Sequence, residues 1–261
     1  KKGASMKRSR AFVEDRRQLI VSLLEENGQM SVTSLAEKMD VSALTMRRDL
    51  DYLQEQGTIT RQYGTAKLAT GEGNTTQAQE RAKAAIAKAA ARYVEDDETI
   101  FINTSTTALA IVPFITAENV TIITNNGKAL QMPLRPTMTI LLTGGEIRVP
   151  KWSMTGDFAL GNINQVKASK CFMGCTALSA AGGLTTGSFQ EGPVNALMIE
   201  RSEQHFALAD ASKIGLTSSF KYSPASGIDH LVTDTMAPGD ELTRLREAGV
   251  KAIDVVNPNA H

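Results

Sequence analysis

The chain has 261 residues, of which 42% are hydrophobic and 21% are charged, and its formal net charge at pH 7 is zero. This composition is typical of one large globular domain or two ordinary ones, and it excludes a disordered chain. No run of residues approaches the ~20 apolar residues of a membrane-spanning helix, and the N-terminal segment lacks the apolar core of a signal peptide. We therefore expect a cytoplasmic protein without a membrane partner.

Three short helices are predicted near the N-terminus, after residues 1–5, which precede the first methionine and are set aside. The first, in residues 15–28, has leucines and an isoleucine at helical spacing and ends at an Asn-Gly stop signal. The second breaks near Asp40. The third begins after Ser42, a good N-cap, and runs to Gly57. Three helices joined by tight turns predict a helix-turn-helix core.

The third helix has a predicted buried stripe and a cationic outer face. The stripe is formed by Met46, Leu50 and Leu53, at positions i, i+4 and i+7. Arg48 projects almost directly opposite this stripe, with Thr45 and Arg47 on its flanks, close to the helix N-terminus, where the helix dipole disfavours cations. DNA phosphates and guanine edges would supply the missing negative charge. The alternative to DNA binding is a solvated face whose charge is partly neutralised by Asp49 and Asp51.

A hairpin is predicted directly after this helix. Residues 58–68, TITRQYGTAKL, alternate in polarity and turn at Gly64-Thr65. Basic and aromatic residues beside a recognition helix commonly contact phosphates or the minor groove. The predicted DNA-binding surface therefore consists of Ser42, Thr45, Arg47, Arg48, Arg61, Gln62, Tyr63 and Lys67.

The stretch VSALTMRRDLDYLQEQGTITRQYGTA resembles the winged-helix signature of the DeoR family of bacterial transcription regulators. The resemblance implies a winged helix-turn-helix domain that binds operator DNA, which we assign to residues 6–68. The sequence departs from the family pattern at Thr65, where a second glycine is usual. We expect this change to alter the tip of the wing and to leave the fold intact.

A second domain is predicted after a polar linker, residues 69–79, and it covers residues 80–261. An alanine-rich helix leads into seven short apolar runs: TIFIN, VTIITNN, MTILLTGG, KCFMGCTAL, HFALAD, DHLVTD and KAIDVV. Strands that alternate with helices predict an α/β, Rossmann-like domain with a mostly parallel sheet. Cys171 and Cys175 would be about 13 Å apart in a strand, so we expect buried free thiols rather than a disulfide or metal pair. No metal or other cofactor is predicted.

Polar residues gather where these strands end, which is where open α/β sheets bind ligands. The loop after the first strand offers hydroxyl groups at the start of a helix, in Thr104, Ser105, Thr106 and Thr107. Such a helix start suits a phosphate, although simple helix capping explains the pattern equally well. Later strands end in TNN, TGGEIR and ADASK, which add the cations Arg148 and Lys213.

These motifs also resemble the DeoR-type effector domain, which is similar to the sugar-phosphate isomerase and deaminase fold. The resemblance implies a small-molecule effector, a phosphorylated sugar or related metabolite. The candidate effector site comprises Asn103, Thr104, Ser105, Thr106, Thr107, Thr124, Asn125, Gly144, Gly145, Arg148, Glu191, Asp210 and Lys213. The first loop departs from the family pattern D-x-G-[ST]-T at Asn103 and Ser105, and Asn195 replaces a frequent lysine. These changes affect both hydroxyl recognition and anion binding.

Two functions fit this sequence: a metabolite-responsive transcriptional repressor, and a sugar-phosphate isomerase or deaminase with an added DNA-binding domain. The enzyme requires an acid/base pair. His205 is expected before its strand, and Glu191 has no evident partner, so the sequence favours the repressor and predicts no catalytic residue. Because paired half-sites require paired recognition helices, we also expect a homodimer or homotetramer.

Overall fold

The structure is a computed structural model that describes residues 10–55, 58–62, 64–68, 77–149 and 151–259. The chain divides into two compact units, Lys1–Asn74 and Thr75–His261. Within the described residues, no helix is long and apolar enough to cross a membrane.

The first unit has three helices and a three-stranded antiparallel sheet. In chain order its elements are α1 (Arg10–Asn27), β1 (Gln29–Ser31), α2 (Val32–Lys38), α3 (Ala43–Glu55), β2 (Ile59–Gln62) and β3 (Thr65–Leu68). The strands are ordered β1-β3-β2. The three helices and the hairpin β2–β3 confirm the predicted winged helix-turn-helix. Strand β1 was not predicted, because three residues are too few to show an alternating pattern.

The helix boundaries follow from local chemistry. Gly28 ends α1 with a left-handed backbone, at φ 73°. Asp40, at φ 48°, ends the turn after α2. The Ser42 hydroxyl accepts a hydrogen bond from the Thr45 backbone N–H at 3.2 Å, and this contact caps α3.

The core of the first unit contains the predicted stripe of α3. Its buried residues are Ile20, Leu24, Leu35, Ala36, Met46, Leu50, Leu53, Ile59 and Ala66. Leu19 shares the apolar spacing of α1 but remains 52% exposed, so the buried face of that helix is narrower than its sequence suggests.

The hairpin turn lies one residue earlier than predicted. Gln62 pairs with Thr65, so Thr65 is the first residue of β3 rather than part of the loop. Gly64 adopts φ 77°, which a glycine adopts without steric penalty. A second glycine at position 65 is therefore not required. Tyr63 lies outside the described residues.

The second unit is built on a seven-stranded parallel sheet. Its elements are α4 (Gln77–Ala91), β4 (Thr99–Ile102), α5 (Thr106–Leu109), β5 (Thr121–Thr124), β6 (Thr139–Leu142), β7 (Glu146–Arg148), β8 (Ser153–Thr155), α6 (Asp157–Asn164), β9 (Ala168–Gly174), β10 (Ala177–Ser179), β11 (Gly183–Thr186), α7 (Glu191–Glu200), β12 (Ser202–Leu208), β13 (Phe220–Ser223), β14 (His230–Asp234), α8 (Gly239–Glu247) and β15 (Ala252–Val256). The strand order is β15-β14-β12-β9-β4-β5-β6, and every neighbouring pair is parallel.

All seven predicted apolar runs form strands of this sheet, which confirms the predicted α/β architecture. Helix α4 begins at Gln77, three residues inside the predicted linker. Two smaller sheets were not predicted: the hairpin β7–β8, and an antiparallel sheet of β10, β11 and β13. Their strands have three or four residues and none has two adjacent large apolar residues, unlike TIFI, TIIT and TILL in β4, β5 and β6.

Both faces of the main sheet are buried, as expected for parallel strands. Phe101, Cys171 and Leu231 belong to the core on one side, whereas Ile100, Phe172 and other alternating residues belong to the core on the other. Cys171 and Cys175 are buried free thiols, as predicted. Within the described ranges, no group of histidine, cysteine and acidic residues could hold a metal ion.

Candidate functional site

Helix α3 exposes Arg47 and Arg48 on the face opposite its buried stripe. The two nearby acidic residues are bound elsewhere. Asp49 is 2% exposed and accepts from the Arg16 Nε at 2.6 Å and the Arg17 Nε at 3.1 Å. Asp51 forms an ion pair with Arg61. In the described part of the chain no carboxylate pairs with Arg47 or Arg48, so Asp49 and Asp51 do not neutralise these two arginines by ion pairing.

The predicted wing residues have different local surroundings. The Arg61 guanidinium contacts Asp51, and its Nε donates to the Gln54 Oε1 at 2.7 Å, so Arg61 fastens β2 to α3. Lys67 is half-buried on β3, and Gln62 is the last residue of β2. At the start of α3, the Ser42 and Thr45 hydroxyl oxygens are 2.9 Å apart.

In the second unit, the order of the strands aligns the carboxyl ends of β12, β9, β4, β5 and β6 along one edge. Asn103 fixes the first loop at this edge. Its Nδ2 donates to the Gly174 O at 2.8 Å and to the Asn195 Oδ1 at 3.3 Å. Its Oδ1 accepts from the backbone N–H groups of Gly174, at 3.0 Å, and Ser105, at 3.2 Å. The side-chain amide is thereby fully hydrogen-bonded within the protein.

Ser105 has a capping role, which is the plainer of the two interpretations of this loop. Its Oγ accepts from the Ala108 N at 3.3 Å and caps the four-residue helix α5. A Cβ at Gly174 would lie 1.8 Å from the Ser105 Oγ, so the contact between the loop and β9 requires a glycine. Thr106 begins α5 and is half-buried.

The next loops along the edge are joined to the first. The Asn126 Nδ2 donates to the Thr104 O at 3.1 Å. Asn125 and Met154 exchange two hydrogen bonds, one through the Asn125 side chain at 3.1 Å and one between backbone atoms at 2.7 Å. The Thr143 N donates to the Thr124 O at 3.0 Å. The loops after β4, β5 and β6 therefore form one connected structure with β8.

The glycines of the TGGEIR segment allow close backbone approach. Gly144 has φ 67° and Gly145 has φ 104°. A Cβ at Gly145 would lie 2.4 Å from the Thr155 O, so only glycine fits there. Arg148 is exposed on β7 and pairs with Glu146 at 2.5 Å.

Four buried polar atoms in these loops and β8 have no hydrogen-bond partner in the described structure: Thr104 Oγ1, Thr107 Oγ1, Asn125 Oδ1 and Thr155 Oγ1. Each buried unsatisfied group costs about 1–3 kcal/mol, so such a group is expected to have a functional or structural reason. The three hydroxyl groups can donate to or accept from a polar ligand, and the amide oxygen can accept from it. Thr155 was not predicted, because it lies in a strand of three residues.

On the other side of Asn103, Glu191 begins α7 and is buried. Its Oε2 accepts from the Thr186 Oγ1 at 3.0 Å and from the Lys151 Nζ at 3.1 Å. The sequence showed no partner for Glu191, because Lys151 is 40 residues away in a segment without a recognisable motif. The pair becomes evident only once β7, β8 and α7 are folded together.

Asp210 and Lys213 lie at the end of β12. The Asp210 side chain accepts from the Ser212 N at 3.1 Å and caps the turn Ala211–Lys213. Burial raises the pKa of Cys175 to about 11, and the nearby Lys213 charge opposes this rise.

His205 was expected before its strand, and this expectation is wrong. It lies in the middle of β12, because that strand begins at Ser202, three residues before the apolar run. Its Nδ1 lies 2.9 Å from the Gly227 O and 3.6 Å from an Asp229 carboxylate oxygen. These contacts hold the ring between two segments of the fold.

Comparison with known proteins identifies both units. Residues 16–72 match the DeoR-like helix-turn-helix domain, and residues 78–235 match the DeoR C terminal sensor domain. Among solved structures, ribose 5 phosphate isomerase A from Neisseria gonorrhoeae aligns with a TM-score of 0.38 and 17% identity, covering 53% of this chain and 54% of that chain.

Three curated relatives cover most of the chain. The HTH-type transcriptional regulator GolR of Listeria innocua is 30% identical over 247 residues, covering 92% of this chain and 97% of GolR. The putative aga operon transcriptional repressor of Escherichia coli O157:H7 is 28% identical, and the match covers 92% of this chain and 93% of that repressor. The glycerol-3-phosphate regulon repressor of Escherichia coli K12 is 29% identical, and the match covers 84% of this chain and 90% of that repressor. The chain therefore belongs to the DeoR family of DNA-binding transcriptional regulators, which are not enzymes.

Proposed function

We propose that this regulator is a cytoplasmic repressor of a carbohydrate-utilisation operon, and that a phosphorylated sugar or related metabolite releases it from its operator. The observation that carries the sensing role is the set of four unpartnered buried polar atoms at the sheet edge. The names of two relatives, an aga operon repressor and a glycerol-3-phosphate regulon repressor, support this class of regulon.

On the DNA side, we assign base and phosphate contacts to Thr45, Arg47 and Arg48 of α3. The support is electrostatic, since Asp49 and Asp51 of the same helix pair with arginines on α1 and β2. We also assign DNA contacts to Ser42, at the N-terminus of α3, and, as the sequence predicts, to Gln62, Tyr63 and Lys67. Arg61 positions the wing through its contacts with α3.

Arg48→Ala is expected to weaken operator binding by about 1–3 kcal/mol if its guanidinium reads a guanine. The fold should be unaffected, because the side chain is exposed and outside the core. The measurement is a gel-shift titration at fixed salt, with a duplex that the wild-type protein selects from a random pool. Lys88→Ala removes one exposed charge from the second unit and serves as the control. Equal affinities of Arg48→Ala and wild type would remove Arg48 from the interface.

On the effector side, we assign ligand contacts to the residues with unpartnered buried atoms and to polar or charged residues at the strand ends beside them. These are Thr104, Thr106, Thr107, Thr124, Asn125, Thr155, Glu191 and Lys213, with Gly144 and Gly145 giving backbone access. Asn103, Ser105 and Asp210 hold the loops in place, because their side chains are hydrogen-bonded to neighbouring protein groups. Arg148, paired with Glu146, lies at the rim.

The effector class can be tested by thermal shift of the full chain. A ligand that binds the native state alone raises its stability by RT ln(1 + [L]/Kd), so selective binding raises the melting temperature. The panel contains sugar phosphates, polyol phosphates and their unphosphorylated parents. Stabilisation by a phosphorylated member, together with its release of the operator duplex, supports the proposal. Stabilisation by unphosphorylated sugars alone would contradict it.

We also propose a homodimer or homotetramer, since two recognition helices would read two half-sites of an operator. Sedimentation equilibrium of the full chain distinguishes these two states, and a monomer at operator-binding concentrations would contradict both.

A further inference from the structure

The ion pair between Lys151 and Glu191 joins an accessible cation to a buried anion. The Lys151 Nζ lies 3.1 Å from the Glu191 Oε2. The Lys151 side chain is 44% exposed, whereas that of Glu191 is 8% exposed. Lys151 lies between β7 and β8, and Glu191 begins α7. The ammonium can therefore meet a ligand from solvent without disturbing the core.

The backbone beside Lys151 is held in an unusual conformation. Trp152 has φ 58°, which is rare for a bulky residue because its Cβ crowds the backbone. The Gly127 N donates to the Trp152 O at 2.8 Å, and the space at Gly127 is too small for most side chains, since a Cβ there would lie 3.1 Å from the same oxygen. This contact fastens the segment to the loop that carries Asn125. Strained residues of this kind cluster at ligand sites.

The rest of this face of α7 is neutral. Asn195 lies one helical turn after Glu191, is buried, and pairs with the Asn103 amide. Both Asn103 and Asn195 are uncharged, so this pair offers no cation to an anionic ligand. In the described structure, Lys151 is the cation that forms an ion pair with Glu191. The α7 edge of the site therefore takes its positive charge from a segment outside the predicted motifs.

We propose that Lys151 is a specificity-determining residue of the effector site, where its ammonium binds the anionic group of the ligand. Glu191 accepts a hydrogen bond from a hydroxyl group of the same ligand. The site thus selects a molecule with both a phosphate-type anion and hydroxyl groups over the neutral parent molecule. This inference rests on the proposed function, because it names the residue that recognises the charge of the effector.

The test measures binding to the full chain by calorimetry. The probes are ribose 5-phosphate, glycerol 3-phosphate and glucose 6-phosphate, each beside its unphosphorylated parent. Lys151→Gln removes the charge but retains an amide that can donate to Glu191. Lys151→Arg retains the charge. Lys167→Gln is the matched control, because Lys167 is an exposed lysine that pairs with Glu203 where β9 and β12 begin, at the opposite edge of the sheet.

Lys151→Gln is expected to weaken binding of the best phosphorylated probe about tenfold or more, the effect of one charge-assisted hydrogen bond. Binding of the parent should change less than about twofold. Lys151→Arg should retain most of the affinity, and Lys167→Gln should match wild type. Ligand-free melting temperatures identify any change in folding, and all titrations are performed well below the lowest of them.

Two failures are distinguishable. Equal binding of the phosphorylated probe by wild type and Lys151→Gln would reject the role of Lys151 and leave the proposed function standing. Equal losses of affinity in Lys151→Gln and Lys167→Gln would also reject the role of Lys151, since the loss would then reflect the overall charge of the protein. If wild type binds none of the phosphorylated probes, the phosphorylated effector class fails for these compounds, and the role of Lys151 toward them fails with it.

Discussion

Asp49→Ala is expected to lower the free energy of unfolding of the first unit by about 3–5 kcal/mol, the effect of breaking a buried ion pair from one side. The Asp49 side chain is 3% exposed, and it binds Arg16, which is 9% exposed, and Arg17. Removing the carboxylate takes away the buried anion to which both the Arg16 and the Arg17 guanidinium groups are bound. The Arg17 guanidinium also stacks on Tyr52, 3.6 Å from the ring centroid, so the change affects how α1 packs on α3.

Hydrogen exchange of the amides in α1 and α3 measures this stability for the first unit alone. Asp51→Ala is the control. The Asp51 side chain is 53% exposed in its pair with Arg61, so its loss should change stability by less than about 1 kcal/mol. Asp49→Asn retains one hydrogen-bond acceptor, so its loss of stability should lie between those of Asp49→Ala and Asp51→Ala. If Asp49→Ala and Asp51→Ala have equal effects, the buried pair does not hold the helices together.

Lys213→Ala is expected to produce a repressor that binds its operator normally but is not released by the effector. Lys213 is half-buried in the turn after β12. Its positive charge opposes the rise in the pKa of Cys175 that burial causes at the end of β9. An effector shifts a regulator between two forms only through its differential affinity, typically about 1–3 kcal/mol of coupling. A charge-assisted hydrogen bond contributes about 1.5–3 kcal/mol, so its loss removes most of that coupling.

The measurement is operator occupancy against effector concentration for wild type and Lys213→Ala. Lys213→Arg retains the charge, and Lys251→Ala removes an exposed lysine that pairs with Asp229 just before β15. Both controls should be released like wild type. Superimposable curves for Lys213→Ala and wild type would exclude the role in release. A Lys213→Ala protein that cannot bind DNA would indicate a structural role instead.

Much of the fold could be predicted from local patterns, because the clearest signals are runs of adjacent large apolar residues. Each strand of the parallel sheet, such as TIFI at Thr99–Ile102, is an apolar run bounded by polar residues. Strands β7, β8, β10, β11 and β13 have no two adjacent large apolar residues, and they are recognised only through their pairing, which is local in β7–β8 and β10–β11 and longer-range between β11 and β13. Such pairing leaves no periodic pattern within the strand itself.

In the candidate sites, too, features set by neighbouring residues could be predicted, whereas contacts between residues far apart in the sequence could not. Helical spacing predicted that Arg47 and Arg48 are exposed, but not that Asp49 turns inward to Arg16. Adjacent residues of a helix point in different directions, so proximity in sequence did not imply charge neutralisation. Sequence likewise indicated which strand ends carry polar groups, whereas the Lys151–Glu191 pair depends on tertiary structure.

The buried position of Cys171 makes the reactivity of its thiol a measure of how often the sheet of the second unit opens. This residue lies on β9, the middle strand of the seven, and burial raises the pKa of its thiol to about 12. A neutral, enclosed thiol reacts very slowly with alkylating reagents, because the thiolate is the nucleophile. Modification of Cys171 must therefore proceed through conformations in which the sheet has opened. The alkylation rate measured at Cys171, separately from that at Cys175, then reports how often the centre of the sheet becomes exposed, and a bound effector should slow that rate in proportion to its occupancy.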